Sequence, residues 1–239
     1  MKNDKLKFGK GNSKLDKGIH TFSLPAGHSC PFANECEAKA DRTTGKIKDG
    51  KNQQYRCFAA SDEALRPSVR ASRWHNFDLL KKKKTVSSML SLILESMPKR
   101  AKMFRVHVSG DFFSQTYFDA WMQVATMNPD KRFYAYTKSL PYWVKRRDSI
   151  PSNFELTSSL GGREDELIDL NKLKYARVVL SEEEASSMKL EIDHDDSHAY
   201  DGKESFALLI HGTQKAGSKA SVALSALRKK GIKGYSKKK

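Results

Sequence analysis

Long apolar runs are missing from this 239-residue chain, and that absence sets the first boundary on what it can be. A membrane-spanning helix needs about 18 or more consecutive, predominantly apolar residues. The longest apolar-rich runs, around Val86 to Met97 and Phe206 to Ile210, fall far short of that, so no membrane association is expected. The N-terminus, MKNDKLKFGKGNSK, is basic but lacks the apolar stretch of a secretion signal, and the expected location is the cytoplasm. Acid is in short supply, with 28 Asp+Glu against 44 Lys+Arg and a formal net charge of +16. Cysteine is scarcer still: Cys30, Cys36 and Cys57, all within one 28-residue segment. An odd number of thiols in a chain with no export signal is poor material for a disulfide framework and suits a metal or an iron–sulfur cluster. No internal repeat is present.

What remains is a chain able to build one sizeable core. Hydrophobic residues at 38% and aromatics at 10% argue against global disorder. The segments 20–24, 104–109, 132–139, 154–159, 175–181 and 206–213 are rich in β-branched and aromatic residues and read as six strands. Helical spacing appears at Val86, Met89, Leu90, Ile93 and Met97, at Phe118, Trp121, Met122 and Ala125, and at Leu167, Ile168 and Leu170. Asn128-Pro129-Asp130 is expected to stop the second of these helices. Strands alternating with helices predict parallel βαβ units, arranged as an open doubly wound sheet or a partial barrel. In either, ligands sit at the carboxyl ends of the strands.

Charge divides the chain into a central α/β domain, residues 19–214, between two flexible basic tails, 1–18 and 215–239; the second tail carries nine Lys/Arg and no acid. A short helix is expected from Ser218 to Arg228, with disorder beyond Gly231. Residues 182–204 hold nine acids and read as a solvated insertion. Within it, His194 and His198 beside Asp195 and Asp196 have a spacing that could hold a divalent ion. His107 shares a strand face with Arg105 and Asp111, and a lone strand histidine of this kind is more often a hydrogen-bonded core residue than a ligand.

The predicted strand ends are small or polar: Pro25-Ala26-Gly27-His28-Ser29-Cys30, Ser109-Gly110-Asp111, Tyr136-Thr137-Lys138-Ser139, Ser158 to Gly162, and His211-Gly212-Thr213-Gln214. Five such turns on one face point to a shared pocket. In the cysteine loop, residues 25–60, the spacing is Cys30-x5-Cys36-x20-Cys57. Three thiolates suffice for a 4Fe–4S cluster whose fourth iron stays open to a small molecule, and His28 could instead close a Cys3His zinc site. The polar stretch from Glu37 to Arg56 carries turn signals at Thr44-Gly45 and Asp49-Gly50, which predict a flexible or hairpin excursion that lets the thiols converge.

A strand followed by a three-cysteine loop, a second strand ending in a glycine-containing turn and six β/α units resembles the radical S-adenosylmethionine (SAM) superfamily. More narrowly, LPAGHSCPFANEC, RCFA, FRVHVSGDFFSQTYFDAW and RFYAYTKSLPYW, spanning about residues 20–143, resemble the gene product 88 family of phage proteins. The resemblance implies a partial (β/α)6 barrel, a cluster on Cys30, Cys36 and Cys57, and SAM contacts from Ser109, Gly110 and Asp111, with Lys138 as a further polar contact. It implies an electron donor as partner, the host cytoplasm as location, and hydrogen abstraction by a 5′-deoxyadenosyl radical. The superfamily's usual Cys-x3-Cys-x2-Cys spacing is stretched in both intervals here, and a Gly-Gly-Glu-Pro equivalent is absent.

The basic surface supports a different class of function. Lys81 to Lys84, Lys99 to Lys102, Lys145 to Arg147 and the C-terminal tail would neutralise nucleic-acid phosphates, and Trp74, Tyr142 and Trp143 lie beside cations, as in single-strand binders that stack bases. On that reading the protein is a non-enzymatic nucleic-acid binder, and its cysteines hold a structural cluster or zinc. A redox-responsive module that senses loss of the cluster is a third reading.

Overall fold

The computed structural model describes residues 4–11, 15 and 18–232. Its scaffold is a seven-stranded, wholly parallel sheet in the order β1-β4-β5-β6-β7-β9-β8. The strands are β1 (Ile19–Ser23), β4 (Met103–Ser109), β5 (Arg132–Thr137), β6 (Phe154–Ser159), β7 (Tyr175–Val179), β8 (Glu191–Ile192) and β9 (Phe206–Leu209). All six expected strands form. Among the described residues the end strands β1 and β8 do not pair, so the sheet is open and no closed barrel exists.

Between β1 and β4 the chain makes a hairpin of β2 (Ala38–Ala40) and β3 (Ile47–Asp49), then α1 (Phe58–Leu65), α2 (Pro67–Lys82) and α3 (Val86–Ser96). The remaining connections carry α4 (Gln115–Thr126), α5 (Leu140–Val144), α6 (Glu166–Asn171), α7 (Glu182–Ser187) and α8 (Ser197–Tyr200), and α9 (Lys219–Lys229) follows β9. Local chemistry sets the boundaries. Thr85 and Ser88 form a capping box at the start of α3, and the Ser114 hydroxyl accepts from Tyr117 N to cap α4. Beyond α4 the Asn153 amide donates to the carbonyls of Ala125, Asn128 and Lys131, which replaces the helical partners that Pro129 cannot extend.

One face of the sheet, with Phe104, Val106, Phe133, Ala135, Phe154 and Leu156, packs on Leu80, Ile93, Phe118 and Trp121 of the helices in the main core. The other face is covered differently. Tyr134, Ala176 and Phe206 pack against Leu15, Ala199 and Tyr200. Residues 182–204 are therefore not a solvated insertion: they form α7, the edge strand β8 and α8, and Asp193 and Asp196 are 0% exposed. Their carboxylates are tolerated because partners meet them, Arg105 Nη1 at 2.6 Å and Tyr134 Oη at 2.9 Å from Asp196 Oδ2. Lys174 Nζ donates to the carbonyls of His198, Ala199 and Gly202 and ties α8 down.

The N-terminal segment is also more ordered than a tail. Leu6 is buried, Phe8 packs 5.0 Å from Phe22, and Gly9 bridges Thr21 on the open edge of β1. The helix expected near Ser218 forms as α9, while the disorder expected beyond Gly231 falls mostly on residues 233–239, outside the described residues.

Candidate functional site

A cavity opens at the carboxyl ends of the strands, with an empty volume of about 920 Å³ including its mouth. Its lining draws on the middle five strands of the sheet: Arg105 and Ser109 to Asp111 from β4 and the turn after it, Tyr136 to Lys138, Ser159, Val178, Leu208, Ile210 and His211. Cys30, Cys36 and Cys57 complete it, with Tyr55 and Phe58 beside them. The structure thus brings together all seven residues singled out from sequence, Cys30, Cys36, Cys57, Ser109, Gly110, Asp111 and Lys138.

Each cysteine has its own anchor. Ser29 folds the loop back through its amide and hydroxyl, both donated to Pro25 O, and Gly27 N then donates to Cys30 Sγ at 3.3 Å. Residues flanking Cys36 are pinned to the β6 end, with Glu35 N donating to Gly161 O and Ala33 bridging Gly162. Cys57 occupies the N-cap of α1, where its carbonyl accepts from Ser61 N at 3.3 Å. The excursion between Cys36 and Cys57 is the expected hairpin, held by Arg56, whose guanidinium bonds both oxygens of Asp49. Across the mouth, Arg56 N donates to Gln214 Oε1 at 2.7 Å and Ser61 Oγ to Thr213 O at 2.9 Å. Gly212 comes so close to Phe58 that a Cβ on it would stand 2.6 Å from that side chain.

Burial raises all three thiol pKa values, Cys57 to about 11. Charge on the neighbouring sulfurs raises Cys30 and Cys57 further, and Asp111 raises Cys30 and Cys36, while Lys138 counteracts the rise at Cys36. Three half-buried soft donors whose ionised forms repel one another, one of them already receiving an N–H···S bond from Gly27, suit a multiply charged metal centre that would hold them deprotonated. All three are free of disulfides. Among the described residues, no group of three or more His, Cys, Asp or Glu side chains is placed to hold a metal ion. His28 does not join the cysteines: it is exposed, packs 4.8 Å from the Trp74 ring and bonds Ala40 O through Nε2.

Behind the sulfurs, Asp111 is buried and receives hydrogen bonds from Thr137 Oγ1 (2.6 Å), Lys138 N (2.8 Å) and Phe112 N (2.7 Å). Burial pushes its carboxyl up to about 6 despite these donors. Gly110, at φ +84°, lies so close to Ser29 Oγ and Leu24 that any Cβ would stand 2.5–2.6 Å from them. The Lys138 ammonium donates to Ser159 O, Ser159 Oγ and Leu160 O. With its protons so engaged, it offers the cavity charge and not a further donor.

Two parts of the site are not apparent in the sequence. Glu63, fully buried on α1, accepts through Oε1 from Ala26 N, Ser109 Oγ and Arg73 Nη1, so it fastens the base of the cysteine loop to the end of β4. Its place in an Ala-Ala-Ser-Asp-Glu run resembles a helix surface, and only the three-residue spacing of Arg70, Arg73 and Asn76 on the next helix hints at a polar interior. The second is the Arg105–Asp196 pair, with Arg105 lying 5.0 Å over the Tyr136 ring on the cavity wall. His107 does not share the Arg105 face. A bulge in β4, which advances from Arg105 to Ser109 while β1 advances from Thr21 to Ser23, puts His107 at φ 69°. Its ring packs on Phe112 and pairs with Tyr117 Oη at 3.0 Å, and burial lowers its pKa to about 3, a neutral core histidine. The candidate ion site near His194 does not form; His198 instead meets Glu191 and Asp193.

Residues 1–230 match the family described as Gene product 88. The Gene 88 protein of Mycobacterium phage L5 is 33% identical over 139 residues, covering 54% of this chain and 52% of that protein. That of Mycobacterium phage D29 is 32% identical over 140 residues, covering 54% and 51%. The chain spans about half the length of the curated relatives it matches. No solved structure matches it. None of these similarities carries a radical SAM name, so the wider resemblance rests on the motifs alone.

Proposed function

The chain belongs to the gene product 88 family, and on that premise we propose that it is an iron–sulfur protein in which Cys30, Cys36 and Cys57 hold a 4Fe–4S cluster at the strand-end cavity. The observation that carries this reading is the convergence of all three cysteines of the chain on one cavity wall. The amide of Gly27 would stabilise charge on Cys30, and Lys138 would offset part of the charge beside Cys36.

A three-cysteine ligand set leaves one iron open, and the cavity beyond it is the place for a small molecule. We propose SAM as that molecule, bound with its amino group toward Ser109, Gly110 and Asp111. When bound at a reduced cluster, SAM supplies a carbon radical able to abstract hydrogen from a substrate. The protein's own part is geometric and electrostatic. Asp111, held by three donors, keeps one orientation toward a cationic group; the missing Cβ of Gly110 lets the backbone turn close in; and Val178, Leu208 and Ile210 exclude water.

Iron and acid-labile sulfide analysis of anaerobically purified protein tests the first half: the expected result is ~4 of each per chain in a brown protein. A colourless, zinc-loaded protein overturns it, as does a Cys57→Ala variant that keeps full iron content. Calorimetry with SAM tests the second half. Absence of binding to cluster-loaded protein would leave an iron–sulfur protein without this cofactor.

A further inference from the structure

The flank built on α2 is rich in rings and cations; Phe77 and Phe113 pack against the main core, while Trp74 stands outside it. Its half-exposed rings form a continuous file: His28 lies 4.8 Å from Trp74, Phe77 5.9 Å from Trp74, and Phe113 5.2 Å from Phe77. Cations sit over this file, the Arg42 guanidinium 4.6 Å above Trp74 and Lys81 Nζ 5.7 Å above Phe113. Beside Trp74 runs an open groove of about 750 Å³, whose lining includes Arg42, Arg70, His75 and Asp78. The N-terminal segment is strapped along the same helix, with His75 Nε2 bonded to Lys5 O and the Asn76 amide bonded to both backbone groups of Lys7. That strap holds Lys5, Lys7 and Lys10 exposed. At the far end of α2, exposed Lys81 and Lys82 have no carboxylate partner among the described residues, and Asp78 is already engaged by Arg42.

Oriented rings with cations at regular intervals meet two demands at once, a π-face for a base and a positive charge for a phosphate. We propose that this flank binds single-stranded nucleic acid, with bases stacking at the Trp74 groove and phosphates on Lys5, Lys7, Lys81 and Lys82. Duplex would satisfy only the charge, because its bases are stacked on one another and cannot lie on Trp74. The inference goes beyond the cysteine site and does not depend on a cluster.

Fluorescence anisotropy of the full chain with a labelled oligothymidylate about 15 nucleotides long tests it. The expected result is salt-sensitive binding that Trp74→Ala weakens roughly 5- to 150-fold, the loss of one stacked base. The double variant Lys81→Ala/Lys82→Ala, at exposed positions where folding is unaffected, is expected to reduce the slope of log affinity against log salt by about 1.4, at ~0.7 per phosphate. If Trp74→Ala does not fold, this double variant and the duplex competition still decide. No binding at low salt overturns the proposal. So does a duplex or heparin that competes as well as the single strand, which would indicate plain polyanion attraction, or a folded Trp74→Ala variant with unchanged affinity.

Discussion

Replacing Asp196 by Asn tests whether the acidic segment is part of the core. Asn is the right probe because Asp196 lies at φ 70°, a left-handed conformation that Asn tolerates and Ala does not, so little changes except the charge. Arg105 is 6% exposed and loses its partner at 2.6 Å, and Tyr134 Oη loses a charged acceptor. Removing the charge from one side of a buried pair costs up to about 3–5 kcal/mol. Two features hold the expected value at the low end: Asn keeps a hydrogen-bonding oxygen, and Asp193, which repels Asp196, remains nearby to take up part of the attraction. Near 3 kcal/mol, a domain of this size should melt roughly 6–12 °C lower. Urea unfolding followed by tryptophan fluorescence, with Trp121 fully buried in the main core, measures the change. The double variant Arg105→Met/Asp196→Asn should recover much of the loss, since it leaves no buried guanidinium facing a neutral partner. A loss below about 0.5 kcal/mol, the size of a surface substitution, would refute the buried-pair argument.

Three further outcomes follow from the geometry. Glu63→Gln should cost about 1–3 kcal/mol, because Arg73 loses its buried charge partner and keeps only Asp62, and hydrogen exchange should rise at Ala26, whose amide Glu63 accepts; unchanged protection there would contradict its fastening role. Gly110→Ala should destabilise by roughly 1–3 kcal/mol through positive φ and the close approach of Ser29 and Leu24, read by thermal melting, and a neutral result would mean that the turn can relax. The pKa of His198 is raised, since hydrogen bonds and charge from Glu191 and Asp193 outweigh the opposing effect of burial. The stability it contributes is complete below the unfolded value of ~6.5 and lost as pH rises through the higher folded value, so His198→Gln should flatten urea midpoints measured across that window.

The six strands were legible because their β-branched and aromatic runs answer to local sterics, and the hairpin because Thr44-Gly45 marks its turn. The convergence of the cysteines followed from the same local signals. What escaped the sequence depends on distant partners. Nine acids between Glu182 and Glu204 look solvated until Arg105, ninety-one positions from Asp196, is placed beside them. The long helix α2 has a helical period, but the residues that keep it are Arg70, Arg73 and Asn76, whose polarity hides the pattern from a hydrophobic reading. The left-handed turn at His107 and the fastening by Glu63 are products of tertiary packing, with no local signature.

The bond between Arg56 and Gln214 joins positions 158 apart in the chain. The loop that carries Gln214, just past β9, is therefore made long after the three cysteines, and the order of assembly is set by topology: the backbone beside Cys57 cannot be fastened until Gln214 exists. A chain that stops before Gln214 would carry Cys30, Cys36 and Cys57 yet lack the side chain that accepts from Arg56 N and donates to Arg56 O.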